Sequence, residues 1–142
     1  MQTVNILSLI TMEISPSARK RRKEIRDESK RLLIGRALYH PYFPHDIYIN
    51  VTGIKEWLNQ PHLHYEAKNE KLLELPDLIE HAVYLGSIED PKGRDFILTG
   101  HVFKVQIDDA PSWVIVNENI WGEYWVHSVS DNYPYLDDKQ DL

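Results

Sequence analysis

Seven histidines stand in a chain of 142 residues that has no cysteine, and imidazole is the side chain whose ordinary proton affinity lies nearest neutral pH. Three regions hold those with useful neighbours. In Gln60-Pro61-His62-Leu63-His64-Tyr65, His64 is followed at i+4 by Lys68, so on a helix the two share a face. His62 and His64 diverge by roughly 200° on a helix, a poor spacing for a common metal ion. A zinc site there would need His101 or a carboxylate from elsewhere, and no His-Glu-x-x-His pattern occurs, so neither metal nor cofactor is expected. His101 sits with Lys104 in a β-rich run among Ile97, Phe103 and Val105, where an isolated histidine is more often a half-buried structural residue. In the third region strict alternation puts Tyr124, Val126, Ser128 and Ser130 on one face and Trp125, His127 and Val129 on the other.

Several chemistries are excluded. Without cysteine there is no thiolate nucleophile, disulfide framework or Cys-type zinc site. No Gly-x-Ser-x-Gly elbow, phosphate-cradling glycine loop or dinucleotide fingerprint is present, which removes serine hydrolase, P-loop and Rossmann readings. The remaining set of His, Lys, Ser and Tyr with few convergent carboxylates permits metal-free phosphodiester cleavage. RNA carries its own 2′-OH nucleophile, so the protein need supply only a base, an acid and donors to the phosphorane oxygens.

The elements that must position these groups follow from pattern. Ser15-Pro16 opens a basic helix that Gly35 stops near Ile34, with a narrow apolar stripe that predicts loose packing if any. Residues 39–46, rich in proline and aromatics, read as an irregular loop. Ile47 to Val51 is β-rich, Thr52 caps a helix with Ile54, Trp57 and Leu58 inward, and Pro61 and Pro76 open two more helical stretches. Val83–Ile88, Asp95–Ile107, Ser112–Ile120 and Glu123–Ser130 read as strands, with a bend or bulge expected at Gly100. Helices followed by a run of antiparallel strands give an α+β fold, N-terminal helices on one face of a meander of about four strands. The expected organisation is a basic helical arm or linker over 1–38, a compact body over 39–131 and an acidic tail over 132–142.

Charge divides the same way. Arg19 to Arg36 holds nine bases and three acids, +6, leaving seven bases and nineteen acids, −12, elsewhere. An acidic body attracts a polyanion only through a local basic footprint, and a run of like charge is ordinarily a solvated face. The longest apolar stretch, Val4 to Ile10, is broken by Asn5 and Ser8 and follows no basic segment. No membrane partner and a cytoplasmic location are therefore expected.

Gly53-Ile54-Lys55-Glu56, Gln60-Pro61-His62-Leu63-His64-Tyr65 with Lys68-Asn69, Lys92-Gly93-Arg94, His101-Val102-Phe103 and His127-Ser128-Val129-Ser130-Asp131 together resemble a family. It is the nuclease group of phage- and mobile-element polyvalent proteins with the barnase–EndoU–colicin–RelE fold. The resemblance covers roughly residues 36–131. It implies N-terminal helices against a four-stranded antiparallel sheet and metal-independent RNA cleavage of the toxin or effector type. The partners implied are RNA, transfer RNA among the candidates, and an immunity or antitoxin protein. By position it implies catalytic roles for His101, His64 and Ser128, and substrate contacts from Lys55, Tyr65, Lys68, Lys104 and Ser130. The rival expectation is an inactive protein- or nucleic-acid-binding module, for which Trp121, Tyr124, Trp125, Tyr133 and Tyr135 would supply anchors. The cleavage reading requires the helical and strand side chains to meet in one cleft.

Overall fold

A computed structural model describes residues 15–90 and 93–134. The apolar stretch Val4 to Ile10, and Lys92, Tyr135 and most of the acidic tail, lie outside the described residues. Helix α1 (Pro16–Leu33) begins where Ser15 Oγ accepts from the Ala18 amide at 3.1 Å and ends before Gly35, whose φ of 83° suits a residue without Cβ. Ile25, Ser29 and Leu33, spaced by fours, are buried. They pack on α2 (Val51–Asn59) and α3 (Tyr65–Leu72), and Arg21 forks onto the Glu70 carboxylate at 2.6 and 2.7 Å. The helix is thus part of the main core, and no break in packing falls at 38/39. Even a narrow stripe suffices when two facing helices fill around it.

The segment read as an irregular loop is instead a hairpin, β1 (Leu38–His40) and β2 (Phe43–Ile47). A two-stranded sheet is all edge, so Pro44 removes no required ladder bond. The chain leaves β2 as an isolated bridge: Tyr48 N donates to Tyr124 O at 2.9 Å, and Val126 N donates to Tyr48 O at 2.8 Å. Asn50, rather than Thr52, caps α2, its side chain accepting from the Gly53 amide at 2.8 Å. Helix α4 (Leu75–Glu80) then leads to β3 (Val83–Ile88), β4 (Ile97–Ile107), β5 (Ala110–Asn119) and β6 (Tyr124–Ser130). These four pair antiparallel in sequence order, confirming the α+β meander.

Helices and hairpin cover one face of the sheet, packing Ile54, Trp57, Leu72 and Ile79 against Phe103, Val105, Val114, Val116, Val126 and Val129. We call this the inner face. The outer face carries a smaller cluster of Ile88, Val102 and Trp113. In β6 the register shifts: Val116 pairs with Val126 but Ile115 pairs with Ser128. One residue is extra, so Val126 and Val129 are both inward, and strict alternation fails.

Candidate functional site

Apart from Ser112 near the β4–β5 turn, the inner face is apolar except towards the end of the sheet where β4 begins. There His101 lies between two partners. Its Nε2 is 2.9 Å from Glu118 Oε1 on β5, and its Nδ1 is 2.9 Å from the Tyr84 hydroxyl on β3. An ionised carboxylate only accepts, so Nε2 carries the proton and bare Nδ1 accepts from Tyr84. The result is a carboxylate–imidazole–phenol chain across three strands. Glu118 also accepts from the Tyr124 hydroxyl on β6. Phe43 packs edge-on against His101 at 4.9 Å between ring centroids, leaving the imidazole 12% exposed. Burial raises the proton affinities of Tyr84 and Tyr124, and the Glu118 charge adds to both. Both phenols are therefore held as neutral hydroxyls around neutral pH.

A second imidazole joins this cluster. His45 on β2 is exposed and stacks flat on Tyr124 with centroids 4.3 Å apart. It also meets Phe43 at 5.3 Å, so His45 and His101 lean on the same two rings. Beside them opens a groove of about 640 Å³ whose lining includes Gly35, His45, Asp46, Tyr48, Glu123 and Trp125. Its lining carries carboxylates but no Lys or Arg. Among the described residues, no three His, Cys, Asp or Glu side chains gather where a metal ion would be held.

The other expected site residues do not converge here. His64 is N-terminal to α3, with Nε2 2.5 Å from Asp109 Oδ1 in the β4–β5 turn, and its hydrogen bond holds Asp109 below the usual carboxylate range. That turn is about 20 Å along β4 from His101, at roughly 3.3 Å per residue. His62 supports the same corner: Nδ1 accepts from the His64 amide and Nε2 meets Ser112 Oγ, both at 2.8 Å, while burial lowers the proton affinity of its ring. Ser128 and Ser130 pair with Ile115 and Trp113 on the outer face, because the bulge reverses the expected alternation. Lys104, opposite Trp113, is also outward and exposed. Lys55 is exposed on α2.

Lys68 is fully buried and cannot meet a substrate. Its Nζ donates to Trp57 O at 2.6 Å and Leu58 O at 3.3 Å, closing the last turn of α2. Trp57 Nε1 returns a bond to Lys68 O at 2.8 Å. Tyr65 supports this cap, its hydroxyl donating to Leu58 O at 2.8 Å and its ring lying 4.3 Å from the ammonium. Burial, reinforced by the Arg22 charge, lowers the Lys68 pKa to about 7.

The family model for large polyvalent protein-associated domain 3 matches residues 16–132. The chain belongs to that family. Membership supports the polyvalent-protein part of the resemblance, and its span takes in α1 as well as the body. It carries no statement about nuclease activity. No curated protein and no solved structure matches. No helix among the described residues is long and apolar enough to cross a membrane.

Sequence reasoning missed His45, Tyr84 and Glu118. His45 lay in the supposed loop. Glu118 was one of many acids, although strand parity would have put it two pairing positions from His101 once β4 and β5 were joined through the turn at Asp108-Asp109. Tyr84 could not be assigned without knowing that β3 pairs with β4.

Proposed function

We propose that this domain cleaves RNA by intramolecular attack of a 2′-OH on its neighbouring phosphate, with His101 and His45 in place of the His101–His64 pair read from sequence. The observation that carries the reading is the Glu118–His101–Tyr84 chain with His45 beside it. The 2′-OH gives its proton to the Tyr84 oxygen as the Tyr84 proton passes to His101 Nδ1. Glu118 steadies the imidazolium, and the alkoxide attacks phosphorus. The 5′-oxygen leaves with a proton from His45, and the Tyr124 hydroxyl turns from Glu118 to donate to a phosphorane oxygen. The products are a 2′,3′-cyclic phosphate and a 5′-OH end. The acidic groove lining disfavours long polyanionic tracts, so a short or locally exposed RNA segment fits better. An immunity or antitoxin protein covering the groove is the partner this reading implies.

The test is purified protein with transfer RNA and total RNA in EDTA, with end-group analysis. Cyclic phosphate ends that vanish in His101→Ala and His45→Ala support the proposal. No cleavage, or cleavage unchanged in both variants, overturns it. One observation favours a non-catalytic nucleic-acid-binding module: both nitrogens of His101 are already bonded within the protein. RNA retention without turnover in the same assay would select it.

A further inference from the structure

The outer face carries a second groove, of about 360 Å³, on the opposite side of β6 from the histidine cluster. Its walls include Phe96, Trp121 and Trp125, with Asn117 between β4 and β6 in the sheet and Arg94 at one end. The first turn of α2, from Asn50 to Gly53, forms part of the rim. Asn117 is 8% exposed, yet its side-chain amide makes no hydrogen bond within the described protein, whereas neighbouring Asn119 is fully engaged by Trp121 and Glu123. The fully buried and unpartnered polar side-chain atoms among the described residues are Asn69 Oδ1 and Trp113 Nε1; the Asn117 amide is not one of them, because it opens onto the groove. An amide placed this way can exchange its water for the donor–acceptor edge of a ligand.

We infer that this groove binds a nucleotide, with its base held edge-on by Asn117 and its flat face against the indoles. An amide offers one donor group and one acceptor in a plane, the complement of a base edge that presents the same pair reversed. Trp121 is 67% exposed and lies 6.4 Å from Phe96 between ring centroids. Ring faces of this kind stack any base. Arg94 is fixed by a fork of two bonds to Asp90, at 2.9 and 2.8 Å. That commits two of its five N–H groups and leaves the others for a phosphate. The positive end of the α2 dipole at the rim acts in the same direction. A sugar alone would use the ring faces but not the planar donor–acceptor edge. The groove needs no step of the cleavage reaction, and His101 lies on the other side of the sheet.

Calorimetric titration of the full chain with each of the four nucleoside 5′-monophosphates, ribose 5-phosphate and inorganic phosphate tests this. At least one nucleotide should bind saturably, and ribose phosphate and phosphate should not match it. Asn117→Ala should weaken that affinity about tenfold or more, as should Trp121→Ala, whose exposed side chain leaves the fold intact. His101→Ala should bind like the parent, which separates this site from the cleavage reading. No saturable binding of any nucleotide, equal binding of ribose phosphate, or undiminished affinity in Trp121→Ala overturns the proposal. Loss of binding in His101→Ala would put the ligand on the inner face and overturn it equally.

Discussion

His45 lies flat on Tyr124, ring planes 15° from parallel and centroids 4.3 Å apart. Tyr124 in turn bonds Glu118, which bonds His101. A residue from a short hairpin is thereby set at a fixed distance from the central strand, and the arrangement depends on one phenol. Tyr124→Phe keeps the stack but removes the hydroxyl donated to Glu118. Tyr124→Leu removes both.

In the cleavage assay we expect His101→Ala to lower the rate about 10²–10⁴-fold, the usual contribution of one general acid–base group. Tyr84→Phe should fall in the same range, because phenylalanine cannot relay the proton. Single-turnover rates measure both, with thermal melts to establish that the variants fold.

His64→Ala should leave the cleavage rate within about twofold of the parent, since its imidazole is held by Asp109 at the far corner of the sheet. A drop comparable with that of His101→Ala would restore His64 to the active set and dismantle the present assignment.

Stability should rise with pH above neutrality. Lys68 titrates near 7 when folded and near 10.5 when free, so between these values the unfolded chain binds more protons and alkali favours the folded state. Below about 7 the native state must hold a buried ammonium. Urea denaturation at pH 7 and pH 9 should show the gain, on the order of a few kcal/mol. Lys68→Met should abolish that slope while losing roughly 1–3 kcal/mol, since Trp57 O keeps only a long bond from the Gln60 amide and Leu58 O only the Tyr65 hydroxyl.

Gly53→Ala should destabilise by about 1–3 kcal/mol despite alanine's better helix propensity. A Cβ there would lie 2.6 Å from Val126 O and 2.8 Å from Ile49 Cγ1, so α2 would have to lift from β6. Chemical denaturation measures the loss.

Period and punctuation were enough to read the meander and most helix starts. Val83–Ile88 is a strand as read, and His101 shares a face with Phe103, Val105 and Ile107. What strict alternation could not foresee is the irregular register of β6, which moves Ser128 and Ser130 away from His101. Composition also misled: Lys68 looked like a phosphate ligand and is a helix cap, because nothing local announces that Trp57 and Leu58 need a donor. The hairpin at Leu38–Ile47 was hidden by its prolines, and His45 with it.

The supernumerary residue in β6 has a further use. With His127 deleted, plain two-residue repetition would still send Val126 and Val129 under the helices. Only the open side would lose a side chain. One link in the strand is thus dispensable to the cleft yet belongs to the nucleotide groove's wall, so trimming it offers a way to alter one surface of the domain while sparing the other.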